Sequence, residues 1–304
     1  MNRRELIRIG GGALAAPLAG FVRQAHSAGM HFNYSICNEM FEKRDFAATC
    51  KAIRSAGFSG IEISPFTIAE NVDQITPARR RELAGIIRSE GLRFAGLHWL
   101  LVTPPGLHVT TADKKLREKS WDYVRKLVDF CADLGKGIMV FGSPKQRGTV
   151  DNTVAEATEN FKAGLASVAP HAGERGCTIL IEALASRETN VVNTLAQAVK
   201  IVGEINHPAI QTMFDFHNTA DEKEPAETLI RRYFRHIRHI HVNEMDGRYP
   251  GSGSFDFLPG FKALADLKYR RWVSLEVFDF KPDPDQILNR TMTFYQGLEK
   301  RLKS

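Results

Sequence analysis

Residues 177–182 read CTILIE, and three later runs have the same form: AIQTMFD (209–215), IRHIH (237–241) and WVSLE (272–276). Each run is short and largely apolar, which is typical of a buried strand. Each also ends in a side chain that can bind a divalent metal, at Glu182, Asp215, His241 and Glu276. If the four runs are consecutive strands of one barrel, these four side chains meet at the same rim.

Three carboxylates and one imidazole would form a metal site of mainly hard donors. Such a set suits Mn²⁺, Co²⁺ or Mg²⁺, with Zn²⁺ as a further alternative. A lone acidic residue after a strand is ordinarily a helix N-cap or a solvated loop charge. Capping does not explain Glu at two of the four strand ends and His at a third, because neither is a favoured cap. The cluster therefore predicts one bound divalent metal ion.

The rest of the chain alternates β-type and helical segments. Four earlier apolar runs precede those above: MHFNYSIC (30–37), GFSGIEI (57–63), LRFAGLHWL (92–100) and GIMVFG (137–142). Stretches of helical period separate the runs, and several end in glycine, as helix C-caps do, at Gly57, Gly91, Gly135 and Gly176. Eight strands, each followed by a helix, predict an α/β fold: a (β/α)8 TIM barrel, typically about 250 residues long, with its active site at the C-terminal rim. We expect a single domain over residues 29–304.

A doubly wound sheet is the competing α/β architecture. That fold often has a glycine-rich turn after its first strand, where a pyrophosphate approaches a helix N-terminus. Here the first strand runs into SICNEMFEKRD (35–45), which contains no glycine, and no Walker-type phosphate loop occurs elsewhere. The sequence therefore favours the barrel.

The N-terminus has the pattern of an export signal. Arg3 and Arg4 precede the apolar stretch IGGGALAAPLAGFV (9–22) and the small residues around QAHSAG (24–29), which resembles a twin-arginine leader. The apolar stretch is too short and too weakly apolar to span a membrane. We expect residues 1–28 to be a twin-arginine signal and the mature protein to be periplasmic, with a disordered basic start as the alternative.

The charge balance argues against a nucleic-acid partner. The chain has 41 basic and 35 acidic residues, and removal of the leader takes away four arginines and one glutamate, which leaves 37 and 34. This near balance provides no electrostatic footprint for nucleic acid. The four cysteines have no CxxC spacing, and we expect them to be small buried residues without a functional role.

Several segments resemble a known enzyme family. EALASRE (182–188) resembles the fifth-strand signature of ketose 3-epimerases such as D-tagatose and D-psicose 3-epimerase. HVNE (241–244), continuing to RYPGSG (248–253), resembles their seventh-strand segment, and SLE (274–276) matches the eighth-strand Glu. Over the whole mature chain the resemblance is to the sugar phosphate isomerase/epimerase superfamily of xylose isomerase-like TIM barrels.

The resemblance implies a role for each matching residue. Glu182 is expected to be both metal ligand and catalytic base, and Glu276 the second base; the implied substrate-binding residues are Glu188, His217 and Arg248. The sequence departs from the epimerase pattern at two of these positions. His217 follows Asp215 one residue sooner than in the epimerases, and Arg248 lies one residue further from His241. We therefore expect a retained metal core and a different substrate.

The expected chemistry is proton transfer beside a carbonyl. A metal that polarises the carbonyl of a sugar or keto-sugar lowers the cost of forming an enediolate. Glu182 and Glu276 would remove the proton and return it from the opposite face, which gives epimerisation. The same site could expel a β-leaving group, so a metal-dependent lyase or dehydratase on 3-keto-glycosides or keto-inositols is an alternative. A noncatalytic periplasmic sugar-binding protein is the alternative from another class.

Other polar residues near the predicted rim have two interpretations each. His98 and Trp99 form either a wall of the sugar pocket or a satisfied core pair. Glu62 either orients the pocket or, more simply, is a helix-cap or loop charge. The remaining histidines considered are expected to be structural, namely His31, His171, His207, His236 and His239. A homo-oligomer is left open.

A nuclease of the endonuclease IV type is the nucleic-acid alternative for the same barrel. Such an enzyme needs further histidine ligands, including one after the fourth strand. That strand ends in FGSP (141–144), which offers none. Together with the near-neutral charge, this disfavours a nuclease.

Overall fold

The fold is an eight-stranded parallel barrel, described by a computed structural model over residues 32–303. The strands are β1 Asn33–Ile36, β2 Gly60–Ile63, β3 Arg93–Leu97, β4 Ile138–Phe141, β5 Thr178–Ile181, β6 Ile210–Asp215, β7 Ile237–Val242 and β8 Trp272–Leu275. From β2 to β8 each strand pairs with the next strand in sequence, and β8 pairs with β1. A parallel bridge between Cys37 and Glu62 links the ends of β1 and β2, so the barrel is nearly closed. The predicted TIM barrel is confirmed.

Helices alternate with these strands around the barrel. They are α1 Phe46–Ser55, α2 Pro77–Ser89, α3 Lys114–Leu134, α4 Pro144–Arg147, α5 Val154–Glu174, α6 Leu195–Ile205, α7 Ala226–Tyr233, α8 Leu258–Asp266 and α9 Pro284–Lys303; short 3-10 turns span Glu39–Phe41, Pro65–Thr67 and Val72–Gln74. Thr153 and Thr194 begin α5 and α6 with capping boxes, which satisfy backbone N–H groups of the first turn. Gly57 and Gly176 follow α1 and α5 with φ of 104° and 73°, as the predicted C-caps require.

One side of the barrel interior holds a small apolar layer. Val140, Leu180 and Met213, on β4, β5 and β6, pack together with Ile138 and apart from the main core between strands and helices. Side chains two positions further along a strand point to the same face. Glu182 and Asp215 therefore also point into the barrel, directly above this apolar layer.

The predicted leader, the expected domain start at residue 29, and His31 lie outside the described residues. Within residues 32–303, no helix is both long and apolar enough to cross a membrane.

Candidate metal centre and active site

Four predicted ligands converge at the C-terminal rim of the barrel. Glu182 follows β5, Asp215 ends β6, His241 lies near the end of β7, and Glu276 follows β8. One donor atom from each of the four lies within 4.8 Å of the others. Strand register explains this convergence, because Asp215 pairs with His241 across β6 and β7, and His241 pairs with Ser274 across β7 and β8. All four residues are buried.

His241 is oriented by a buried carboxylate below it. Its Nε2 lies 3.1 Å from Oε1 of Glu62, while the other Glu62 oxygen lies 2.8 Å from Nε2 of His239. Because an ionised carboxylate only accepts hydrogen bonds, Nε2 of His241 carries the proton. Nδ1 is then the nitrogen with a free lone pair, and it faces the carboxylates, 3.0 Å from Oε2 of Glu276 and 3.9 Å from Oε1 of Glu182. Metal-binding histidines commonly donate their other nitrogen to a carboxylate in this way.

The pKa values of these groups reflect crowded, buried charge. Burial, followed by Glu276 and Asp215, raises the pKa of Glu182 well above its ordinary value. Burial and Glu276 likewise raise the pKa of Asp215. Burial alone would raise the pKa of Glu62, but His239 and His241 together hold it well below its usual range. A bound cation would relieve the repulsion among the carboxylates of Glu182, Asp215 and Glu276.

The donor set fits a divalent metal. Nδ1 of His241 and Oε2 of Glu276 are buried, lie 3.0 Å apart and have no other hydrogen-bond partner, although buried polar atoms are nearly always paired. Three carboxylates and one imidazole nitrogen suit Mn²⁺, Mg²⁺ or Co²⁺. Glu182, Asp215, His241 and Glu276 are the residues that would hold the ion.

Neighbouring groups position two of the carboxylates. Nδ2 of Asn218 donates to Oδ2 of Asp215 at 2.6 Å and lies 3.4 Å from Oε1 of Glu182. The backbone N–H of His217 donates to the second oxygen of Asp215 at 2.9 Å. On the opposite side, a Cβ at Gly142 would collide with the Glu182 carboxylate. The metal-facing geometry of Glu182 thus depends on a glycine at the end of β4.

A cavity of about 520 Å³ opens above the four ligands, within the size range of small-molecule sites. Glu182 and Glu276 line it, whereas Asp215 and His241 do not. Two of the four carboxyl or imidazole groups are therefore within reach of a bound molecule as well as of a metal.

His217 also lines the cavity, and its hydrogen bonds define its tautomer. Nδ1 lies 2.9 Å from the carbonyl oxygen of Glu244, so it carries the proton and donates. Nε2 consequently accepts from Nη2 of Arg187, also at 2.9 Å. Arg187 in turn pairs with Glu188 through Nε at 3.2 Å. These three side chains form a connected polar wall of the cavity.

Comparison with known proteins identifies the family. The family of xylose isomerase-like TIM barrels matches residues 50–297, most of the chain. The chain belongs to this family. Among family relatives, a probable ketose 3-epimerase of Synechocystis is 28% identical over 74% of this chain and 76% of its own. The 3-dehydro-D-guloside 4-epimerase of Escherichia coli is 21% identical over 82% of this chain and 93% of its own.

A solved structure of L-ribulose 3-epimerase has the same fold, with a TM-score of 0.77, 21% identity, and coverage of 89% of this chain and 95% of that chain. Because the named relatives are epimerases, the comparisons support an isomerase or epimerase enzyme. This agrees with the resemblance inferred from the strand-end motifs.

The xylose isomerase-like barrel places most of the other predicted residues at the cavity, but not all. Glu188, His98 and Trp99 line the cavity. His98 is buried and bonds through Nε2 to Glu39 and Ser64, and the Trp99 ring meets Phe278 edge-on at 6.2 Å. Both residues therefore lie at the cavity, and a role in binding sugar stays a prediction.

Two predicted positions do not line the cavity. Glu62 is fully buried beneath the metal ligands and hydrogen-bonds His241, so it is neither a cap, a loop charge nor a lining residue. Its position agrees with the other interpretation, in which it orients the pocket. The sequence around Glu62 could not predict this position, because the partners of its buried carboxylate, His239 and His241, lie on the distant strand β7. Arg248 does not line the cavity; its guanidinium pairs with Asp246 at 2.7 Å and is 40% exposed.

Several cavity residues were missed by sequence reasoning. Arg187 and Asn218 both line the cavity. Each is adjacent in sequence to a predicted substrate-binding residue, Arg187 to Glu188 and Asn218 to His217. Phe278 and Met245 line the mouth and are 43% and 38% exposed. Exposed apolar side chains just after β8 and β7 were the available signal, but exposure cannot be read from sequence.

Proposed function

We propose that this chain is a divalent-metal-dependent sugar epimerase that transfers a proton at the carbon next to a carbonyl. One observation carries the proposal: donor atoms of Glu182, Asp215, His241 and Glu276 lie within 4.8 Å of one another at the floor of a cavity of about 520 Å³. A bound divalent ion would supply Lewis acidity, which lowers the cost of removing a proton next to the carbonyl.

Glu182 and Glu276 are the proposed acid/base pair. Of the four ligands, only these two line the cavity, and they come from β5 and β8, which approach the floor from different sides. One carboxylate takes the proton from the substrate carbon, and the other delivers a proton to the opposite face of the same carbon. Asp215 and His241 would serve the metal alone.

Arg187, His217 and Glu188 are the proposed substrate-binding wall. Arg187 retains further N–H donors beyond those used on His217 and Glu188, so it can donate to sugar oxygens. It is therefore proposed as the substrate arginine of this chain, since Arg248 is paired with Asp246 outside the cavity. The substrate arginine would then come from the loop after β5 instead of the loop after β7. This agrees with the altered spacing of His217 and Arg248.

A metal-dependent lyase acting on a keto-glycoside is the second candidate. The cavity mouth carries Trp99, Met245 and Phe278, an apolar rim that fits an aglycone better than the hydroxyls of a free ketose. In that reaction a base removes the proton next to the carbonyl. The electron pair of the broken carbon–hydrogen bond forms a carbon–carbon double bond while the β carbon–oxygen bond breaks. The expelled oxygen then takes up a proton.

Proton exchange separates these functions. The metal-loaded protein would be incubated in D₂O with a panel of ketoses and 3-keto-glycosides and followed by NMR. An epimerase incorporates deuterium beside the carbonyl and forms the epimer. A lyase exchanges the proton and also releases an aglycone. Sugar binding without exchange under any tested metal would contradict both, and would leave a sugar-binding protein.

Export by the twin-arginine route is also proposed for this chain. The support is the sequence pattern alone, Arg3 and Arg4 before a Gly/Ala-rich apolar stretch. That route carries folded proteins, so the metal could be loaded before export.

A further inference from the structure

A second cluster of metal-binding side chains adjoins the proposed metal centre. Cys37, Glu39, His98 and Glu276 each offer a donor atom, and these atoms lie within 4.8 Å of one another. Cys37 and Glu39 come just after β1, His98 just after β3, and Glu276 just after β8. Only Glu276 belongs to both clusters, so the two would share one carboxylate.

The second cluster is buried, and its polar atoms are not satisfied. Cys37, Glu39, His98 and Glu276 are 2%, 7%, 1% and 5% exposed. Two of their polar atoms have no hydrogen-bond partner and do not face the first centre's ligands Glu182, Asp215 and His241: Oε1 of Glu39 and Nδ1 of His98. A buried donor or acceptor without a partner lowers the stability of the fold. Two such atoms in one buried cluster therefore call for a bound group.

Internal hydrogen bonding does not remove this requirement. Nε2 of His98 hydrogen-bonds Oε2 of Glu39 at 2.8 Å and the Ser64 hydroxyl at 3.0 Å. Nδ1 of His98 and Oε1 of Glu39 remain without a partner. A neighbouring set provides the contrast. Cys37, Glu62 and His241 also lie close together, but both Glu62 oxygens and Nε2 of His241 are paired. That set needs no cation.

We propose that Cys37, Glu39, His98 and Glu276 bind a second divalent cation, with Glu276 bridging to the first. One sulfur, one imidazole nitrogen and two carboxylate oxygens form the donor set of a four-coordinate Zn²⁺ site. The first site, with oxygens and one nitrogen, has no sulfur and differs in the metals it prefers. On binding, the Cys37 Sγ–H bond gives up its proton to solvent, because the thiolate is the ligand.

A site closed by four protein ligands is a structural site. Its effect on the first centre would be to fix Glu276, whose Oε2 lies 3.0 Å from Nδ1 of His241. This inference concerns metal content and does not depend on which sugar is bound.

Metal stoichiometry tests the proposal. The untagged wild-type protein is loaded with Zn²⁺, freed of excess metal by desalting, and analysed by mass spectrometry for metal per chain. We expect two equivalents in the wild type and one in Glu39→Gln, whose change removes a charged ligand of the second cluster only. One equivalent in the wild type, unchanged in Glu39→Gln, would overturn the second site.

Cobalt spectroscopy gives an independent readout. Co²⁺ bound to a thiolate shows a near-ultraviolet charge-transfer band, which a hydrogen-bonding cysteine does not produce. The band is expected in the wild type and in Cys50→Ser, a matched change at another buried cysteine, and is expected to be lost in Cys37→Ser. Absence of the band from the wild type contradicts the assignment even if Cys37→Ser fails to fold.

Proton exchange on the same preparations separates this inference from the proposed function. Exchange with a single bound equivalent and no thiolate band would leave the epimerase proposal standing and remove the second site. Two equivalents with the thiolate band, but no exchange with any sugar, would support the second site and contradict the epimerase proposal.

Discussion

At the scale of single residues, Gly142 makes the position of Glu182 possible. It follows β4 and lies where the Glu182 carboxylate passes, so that even a Cβ would collide with a carboxylate oxygen. To avoid that clash, the Glu182 carboxylate would have to shift toward His241 and Asn218, which flank its other side. A methyl group at position 142 therefore moves a metal ligand without altering any donor.

Gly142→Ala is expected to lower metal affinity by about ten-fold or more, the scale seen when groups that orient a ligand are changed. Titration of the metal-free protein with Mn²⁺ by calorimetry would measure it. Gly203→Ala is the matched control, since no atom lies within 4 Å of a Cβ there. In the exposed turn of α6 that control should stabilise the fold by about 0.5–1 kcal/mol. Equal metal affinities in both variants would contradict the steric argument.

Glu276→Gln should separate binding from turnover. The amide keeps an oxygen for the metal but cannot act as a base, so α-proton exchange is expected to fall by about 10² or more while a sugar still binds. Glu188→Gln is the comparison, because Glu188 lines the cavity wall and is no ligand. Its change should raise KM more than it lowers kcat. Undiminished exchange in Glu276→Gln would exclude it as a base.

The four ligands could be predicted because each ends an apolar run, and parallel strands bring such ends together. Their supporting residues could not. Glu62 and His239 bond to each other across 177 positions of sequence, and Glu39 and His98 across 59. Such pairs depend on barrel closure and strand register, which no local pattern records. His239, two residues before His241 and hence on the same face, was the one available hint.

At the scale of elements, the turn between β4 and α4 combines backbone strain with a place at the cavity. Ser143 has φ 44° and ψ 58°, a left-handed conformation that costs a side-chain-bearing residue about 1–2 kcal/mol. The residue lines the cavity, and its Oγ is buried without a hydrogen-bond partner. Strain maintained beside an unpaired hydroxyl indicates that the hydroxyl serves a ligand.

Ser143→Gly is expected to raise the free energy of unfolding by roughly 0.5–1 kcal/mol, since relief of strain outweighs the extra entropy of glycine in the unfolded chain. Substrate affinity should fall at the same time, because the hydroxyl is lost. Lys268→Gly is the control: it is also left-handed, with φ 55°, but is exposed and away from the cavity. Denaturant unfolding and sugar titration measure the two effects. Equal sugar binding by both variants would contradict a ligand role.

Strand and helix alternation could be predicted, since hydrophobic period and capping residues are local properties. The ends were less accurate. The run LRFAGLHWL suggested a strand over 92–100, whereas β3 spans Arg93–Leu97. Trp99 takes φ 52° just beyond it, and a left-handed residue cannot continue a strand. That change of direction brings the Trp99 ring to the cavity, where it lines the mouth beside Phe278.

At the scale of the whole molecule, the proposed leader predicts a defined failure of transport. Replacing both Arg3 and Arg4 by Lys should leave the precursor in the cytoplasm, because the twin-arginine pair is read as a signal rather than as bulk charge. Fractionation and immunoblotting would measure this, with Arg8→Lys as the control. Normal export of the double variant would exclude this route.

The metal is expected to stabilise the entire barrel, because its ligands come from β5, β6, β7 and β8 and meet only in the folded chain. At a free metal concentration of about 100 times Kd, binding adds about 2.7 kcal/mol to the free energy of unfolding. For a chain of this size, removal by a chelator should then lower Tm by about 5 °C. Asp215→Asn removes one ligand charge of this centre with little change of shape, so the chelator should lower its Tm less than that of the wild type. Calorimetry with and without chelator measures both proteins. An equal decrease in the two would mean that the stabilising ion lies elsewhere, and no decrease in the wild type would contradict a tightly bound metal.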